Sequence, residues 1–194
     1  MSSLITPFSK ILNKEICSTL IDKFIVKEAH ATIYDVKDQF YYHQFNMVND
    51  PDFSVHCQDI MALCMNAVNY YCKHTCKYLQ EILSSFDTIS TFETPIIRKY
   101  PAGKGFINWH FDSSTYKSSR RFLAIVITLN DISFGGELEF KTSENRSKLT
   151  PQQGTLIISP TSFEYLHREL LPNEDKYVIS TFALLPDTTK YITD

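Results

Sequence analysis

His110-Phe111-Asp112 is the segment of this sequence whose residue types and spacing can do chemistry. On a strand, residues i and i+2 share a face, so an imidazole and a carboxylate project there side by side. A third ligand of suitable type, His167, stands 57 positions further on. Two imidazoles and one carboxylate form the facial triad that holds Fe(II) and leaves coordination positions open. His-x-Asp is weak evidence by itself. At an Asp usage of about 5%, the six histidines produce one such pair by chance in roughly one chain in three. The plain alternative is a surface histidine beside an aspartate, and the elements around the pair decide between them.

Those elements read as strands. Residues 94–100 form one, ending at Pro101, and Gly103 and Gly105 turn the chain into 106–112. Residues 122–130 are an apolar, β-branched run of the kind buried on both faces. Phe134-Gly135-Gly136 is a turn before 137–140, and Gly154 precedes a strand over 156–159, with His167 just past it. Residues 176–185 are the last strand, closed by Pro186. Five or six short strands at regular spacing predict a sandwich or jelly roll.

Residues 1–90 read as mostly helical. Asn13 is an N-cap candidate with Glu15 in the first turn, and Ile16, Leu20, Ile21 and Phe24 recur at helical spacing. A second, longer helix, continuous or broken, runs from Asp52 to about Ser84. Residues 30–50 show no clean period and are left open between strands and a partly ordered segment. The expectation is one domain, 1–194, with helical support over 1–90 and a β core over 92–185.

Composition narrows the function classes. With 194 residues, 43% hydrophobic and 21% charged, the chain is an ordinary globular one. A net charge of −3 argues against holding nucleic acid by bulk charge. No apolar run reaches membrane-spanning length, and the first residues lack the pattern of a signal peptide. Five cysteines, an odd number, point to free thiols in a reducing, cytoplasmic setting. Cys72-Lys73-His74-Thr75-Cys76, with His56-Cys57, imitates a zinc site, but Cys72 and Cys76 share one helix face while His74 points elsewhere. Buried thiols are the better account. His30 and His43 have no partner visible in the sequence. Lys99 and Lys104 read as solvated charges, and Trp109, next to the first ligand, points away from the metal.

Residues 94–185 resemble the catalytic domain of the Fe(II)/2-oxoglutarate-dependent oxygenases, in particular the prolyl 4-hydroxylase-like branch. The resemblance is carried by Arg98-Lys99-Tyr100-Pro101 with Gly103 and Gly105, by His110-Phe111-Asp112, and by Leu129-Asn130-Asp131 followed by Phe134-Gly135-Gly136-Glu137-Leu138. Residues 151–158 (Pro-Gln-Gln-Gly-Thr-Leu-Ile-Ile), His167-Arg168-Glu169-Leu170-Leu171-Pro172, and Lys176, nine residues after His167, complete it. A glycine common in the family before the basic residue is absent here, and that residue is Lys rather than the commoner Arg.

The resemblance implies an α+β fold: a double-stranded β-helix (jelly roll, cupin-like) with N-terminal supporting helices. It implies iron held by His110, Asp112 and His167. The 2-oxoglutarate C5 carboxylate is then held by Lys176, with Tyr100 and Thr128 as hydroxyl donors and Val178 and Ser180 sharing the face of Lys176. The polar segment 113–121, with Tyr116, Lys117, Arg120 and Arg121, is a candidate substrate lid. The implied cofactors are Fe(II), 2-oxoglutarate and O2, with ascorbate as reductant. The implied activity is hydroxylation of a C–H bond, giving succinate and CO2. A prolyl residue of a cytosolic protein or peptide is the leading substrate, with no stable nucleic-acid or membrane binding. The alternatives are a free amino acid, small metabolite or nucleic-acid base as substrate, and a non-catalytic binding module that has kept the fold.

Overall fold

The computed structural model describes residues 4–76 and 91–185. Helix α1 (Lys14–Lys27) starts at the expected cap: the Asn13 side chain accepts a hydrogen bond from the Ile16 amide at 2.8 Å. That satisfies one of the donors a helix N-terminus leaves unpaired. Its buried stripe is Cys17, Leu20 and Phe24. Helix α2 (Pro51–His74) is capped by Asp50 and buries Phe53, Ile60, Cys64, Ala67, Val68, Tyr71 and Cys72. It ends at His74, short of the expected Ser84; residues 77–90 and Pro186 lie outside the described residues. No described helix is long and apolar enough to cross a membrane.

The N-terminal part is less helical than expected. Strand β1 (Thr6–Phe8) precedes α1, and the open stretch 30–50 forms a hairpin of β2 (Thr32–Val36) and β3 (Phe40–Asn46). Its aromatic residues favour a pleated, half-buried surface. The β-rich part contains β4 (Ile96–Tyr100), β5 (Phe106–His110), β6 (Arg121–Thr128), β7 (Leu138–Lys141) and β8 (Arg146–Leu149). It continues with β9 (Leu156–Pro160), β10 (Leu166–Glu169) and β11 (Lys176–Leu184). Strands β8 and β10 exceed the sequence expectation. Both are four residues long and rich in charge, so neither gives an apolar run to read.

All pairings are antiparallel, and the strands follow the order β1-β9-β6-β11-β4-β3-β5-β10-β7-β8, with β2 on the side of β3. The sheet curls on itself as a jelly roll. Residues of β5, β7 and β10 therefore line the same interior cavity as residues of β6, β9 and β11. Strand alternation sorts each strand between two environments. On β11, Val178 and Ser180 face this interior, while Tyr177, Ile179 and Ala183 pack under the helices. The helices thus cover the outer face of the sheet and leave its interior for the site. Phe24 of α1 is central to that cover, set edge-on to Phe45 and Tyr177 at centroid distances of 5.0 and 5.5 Å.

Replacing Phe24 by Ala removes this contact from a fully buried position. The expected loss is about 3–5 kcal/mol, read as a lower urea midpoint with an unchanged slope; a loss within experimental error would contradict this packing account.

Candidate active site

His110 ends β5 and His167 lies within β10, and the two residues are register partners. His167 therefore belongs to a strand of its own rather than to the stretch after β9. Asp112 follows two residues after His110. One ligand atom from each of the three lies within 4.8 Å of the others. His110 Nε2 stands 3.7 Å from Asp112 Oδ1, and His167 Nε2 stands 3.4 Å from Asp112 Oδ2. The imidazoles are 4.3 Å apart between centroids.

Their orientation is set from behind. His110 Nδ1 is 2.8 Å from the Asn108 carbonyl and His167 Nδ1 is 3.2 Å from the Tyr165 carbonyl. A carbonyl only accepts, so each Nδ1 carries the proton and each Nε2 presents a lone pair. That is the usual outer-shell arrangement behind a metal-ligating histidine. Asp112 Oδ2 is buried with no hydrogen-bond partner. A buried carboxylate oxygen without a donor is costly, and a cation between the three groups would relieve it. The donor set and the orphaned oxygen fit a first-row divalent metal.

A cavity continues inward from the triad, lined among others by Arg98, Tyr100, Ile107, Val178, Ser180 and Glu169. It holds about 40 Å³, room for a few waters, so a dicarboxylate enters only as flexible side chains turn aside. Tyr100 is buried there, and burial pushes its phenol above the usual range. Lys176 is buried beside it, with Nζ 5.6 Å from the Tyr100 ring centre. Lys176 donates to the Gly136 carbonyl at 2.7 Å and is ion-paired with Glu169. The turn that offers this carbonyl needs its glycines: Gly135 has φ +75°, and a Cβ there would sit 2.2 Å from the Leu171 carbonyl oxygen. Thr128 is buried opposite Val178 in the register but does not line the cavity.

Arg98 and Glu169 were not among the sequence candidates. Alternation could have found both, since Arg98 lies two residues before Tyr100 and Glu169 two after His167. Lys99, read as a solvated charge, is instead buried between Glu28 at 2.7 Å and Asp175 at 2.8 Å. Burial opposes its charge, but the two carboxylates overcome that and hold the ammonium above its ordinary range. His43, for which the sequence offered no partner, also joins Glu28, at 3.1 Å.

On the outer side of the triad an open depression of about 300 Å³ is lined by His110, Asp112, Lys117 and Arg121 among others. The segment expected as a lid contains one short turn, Tyr116–Ser118, closed by reciprocal Thr115–Ser118 hydrogen bonds. Tyr116 is 95% exposed. Arg120 donates to the Leu185 carbonyl, and Arg121 begins β6 in a two-bond pair with Glu93, so these two are anchored. Trp109 stacks outside the barrel under Arg168, 4.7 Å from guanidinium carbon to ring centre.

Comparison with known proteins agrees with this geometry. The family model of the 2OG-Fe(II) oxygenase superfamily matches residues 96–184. No curated protein matches at the sequence level. Among solved structures, a Pseudomonas putida prolyl-4-hydroxylase aligns with TM-score 0.71 and 14% identity, over 96% of this chain and 95% of that one. A Trichoplax adhaerens prolyl hydroxylase, in complex with a hypoxia inducible factor oxygen degradation domain peptide fragment, gives 0.74 and 10%, over 100% and 89%. A viral collagen prolyl hydroxylase from Paramecium Bursaria Chlorella virus-1, a 2OG complex, gives 0.62 and 17%, over 93% and 95%. At these identities the likeness carries the fold.

Burial, and then the neighbouring His167, hold the His110 imidazole below its ordinary 6.5, against the pull of Asp112. Between the folded value and 6.5 the unfolded chain binds more protons, so stability falls as pH drops through that window. His56 adds to the fall, its imidazole lowered by burial and by Lys23. The urea midpoint of the metal-free protein is expected to fall from about pH 7.5 to about pH 5.5, and to fall less in His110→Gln; equal falls would contradict the assignment.

Proposed function

Taking the chain to belong, through residues 96–184, to the 2OG-Fe(II) oxygenase superfamily with a prolyl hydroxylase-like fold, we propose that it hydroxylates a C–H bond of a protein or peptide substrate at a prolyl residue. The reaction consumes 2-oxoglutarate and O2 and yields succinate and CO2. The observation that carries this reading is the triad itself: two imidazoles with Nε2 lone pairs turned toward a buried, unpartnered carboxylate oxygen, at the mouth of an interior cavity. The chemistry supplied by iron bound there is dioxygen activation against an unactivated C–H bond.

The chain's own residues do the rest. His110 and His167 present neutral nitrogen donors, and Asp112 offsets part of the metal charge. The inner cavity receives the co-substrate, whose far carboxylate is directed to the end of the barrel where Tyr100, Thr128 and Lys176 lie. Helices and sheet keep that end dry. The substrate enters from the outer depression, where Tyr116 and Lys117 lie over the opening as a lid and Arg120 and Arg121 fix its far side. A prolyl hydroxylase of the same fold in complex with a peptide supports a polypeptide substrate. The whole chain, 1–194, acts as one oxygenase unit, with ascorbate as reductant. The five free cysteines suit a reducing, cytoplasmic setting.

The test is succinate formation from 2-oxoglutarate with Fe(II), ascorbate and oxygen, followed by mass spectrometry. Turnover is expected to rise with a proline-rich peptide pool and to fall at least about a hundredfold in Asp112→Ala. Stimulation by free amino acids or nucleobases in place of peptide would transfer the reading to those substrates. Iron binding without any turnover would leave a binding module.

A further inference from the structure

The strands that carry the triad have a second, outward face. Between β5, β10 and the tip of the β2–β3 hairpin lies an open groove of about 510 Å³. Phe106, Leu170 and the exposed Leu171 give it apolar walls, while Lys104 and Arg168 give it positive charge. The Lys104 ammonium rests 3.8 Å from the Tyr41 ring centre. Asp38 lines one side, and its carbonyl accepts from the Asn108 amide at 3.1 Å.

From this groove a row of cations runs toward the mouth of the site. Trp109, directly before His110, has two guanidinium carbons near its ring centre, Arg168 at 4.7 Å and Arg146 at 5.7 Å. Leu166 pairs with Lys141 and Lys141 with Arg146, so these residues lie at the same end of their strands as the triad. By strand alternation β5, β7, β8 and β10 turn four cations outward, Lys141, Arg146, Lys148 and Arg168, against one acid, Glu139. Glu139 is buried and already paired with Arg168. Among the described residues no carboxylate is within ion-pair distance of Lys104, Lys141, Arg146 or Lys148. Glu137 precedes β7 and Glu144 lies in the β7–β8 turn, so acids flank this row and the free charges along it are positive. The chain as a whole is net −3.

An indole under a guanidinium holds the planar fork in place and leaves its donors open to a carboxylate. Resting on the proposed polypeptide substrate, we propose that this outer face docks an acidic stretch of that polypeptide, away from the hydroxylated residue. An apolar side chain of the stretch fills the groove between Phe106 and Leu171, and its carboxylates meet Lys104 and Arg146. Strand β5 runs from the groove at Phe106 to the triad at His110, about 13 Å at 3.3 Å per residue. An extended substrate must cover that length and turn around the mouth. The acidic stretch therefore lies at least about four residues from the prolyl residue.

Trp109 is the chain's single tryptophan, so its emission reports on this face. The full chain is titrated with a proline-free peptide of aspartate, glutamate and leucine. A saturable change in emission is expected, weaker as salt rises from about 50 to about 500 mM. Lys104→Glu with Arg146→Glu should weaken binding at least about tenfold. Lys14→Glu with Lys73→Glu, an equal charge change on exposed helix positions, should leave it within about twofold. A prolyl peptide extended by the acidic stretch should then show a KM lower by about tenfold at unchanged kcat. That advantage should vanish in the Lys104→Glu, Arg146→Glu protein, which should turn over the short prolyl peptide as the wild type does. No saturable emission change, equal weakening in both double variants, or tighter binding of oligodeoxythymidylate to the same residues overturns the proposal. So does a KM that ignores the acidic stretch. Saturable peptide binding at Trp109 without turnover of any prolyl peptide overturns the proposed function and leaves the docking surface standing.

Discussion

His110 and His167 stand opposite each other across the β5–β10 ladder, and the site depends on that register. Strand side chains alternate faces, so a slip of one residue in either strand would turn an imidazole out of the barrel. The two residues are far apart in sequence, and only the curl of the sheet places their strands side by side. Strand β10 is held between β5 and β7, and β5 is held by β10 and β3. The aromatic hairpin β2–β3 and the helices packed under β6, β9 and β11 therefore serve the site without touching the triad: they close the sheet whose curvature sets the pairing.

A second constraint is electrostatic. The barrel interior places Arg98, Asp112 and Glu169 around one small cavity, with Lys176 buried against Glu169. Such groups are stable in a dry interior only when each finds an opposite charge or donor. Glu169 and Lys176 satisfy each other. Asp112 Oδ2 finds no hydrogen-bond partner among the described residues. The oxygen left without a donor belongs to the three residues that could hold a metal ion. The outer network of Lys99, Glu28 and Asp175 braces the same region, since Lys99 neighbours Tyr100 and Asp175 neighbours Lys176.

Much of this was legible in the sequence. The i, i+2 spacing of His110 and Asp112 needs only strand geometry, and the apolar run around Ile125 announced a strand buried on both faces. Asn13 marked a helix start because its side chain can satisfy a backbone amide. What stayed hidden depended on charge met in three dimensions. Strand β10 reads Leu-His-Arg-Glu, with no apolar alternation, because its inward positions are a triad histidine and an ion-pair partner. Lys99 looked solvated because its partners, Glu28 and Asp175, lie 71 and 76 positions away. Helix α2 ends at His74, and the part of the expected helix beyond Cys76 lies outside the described residues.

The most direct test of the account is the visible absorption spectrum of the protein with Fe(II) and 2-oxoglutarate under anaerobic conditions. A 2-oxo acid chelating Fe(II) through its keto and carboxylate oxygens gives a charge-transfer band that neither component gives alone. The account predicts that band in the wild type and its loss in a folded His167→Ala variant. A folded wild-type protein that binds Fe(II) elsewhere, or binds both components without the band, would contradict it.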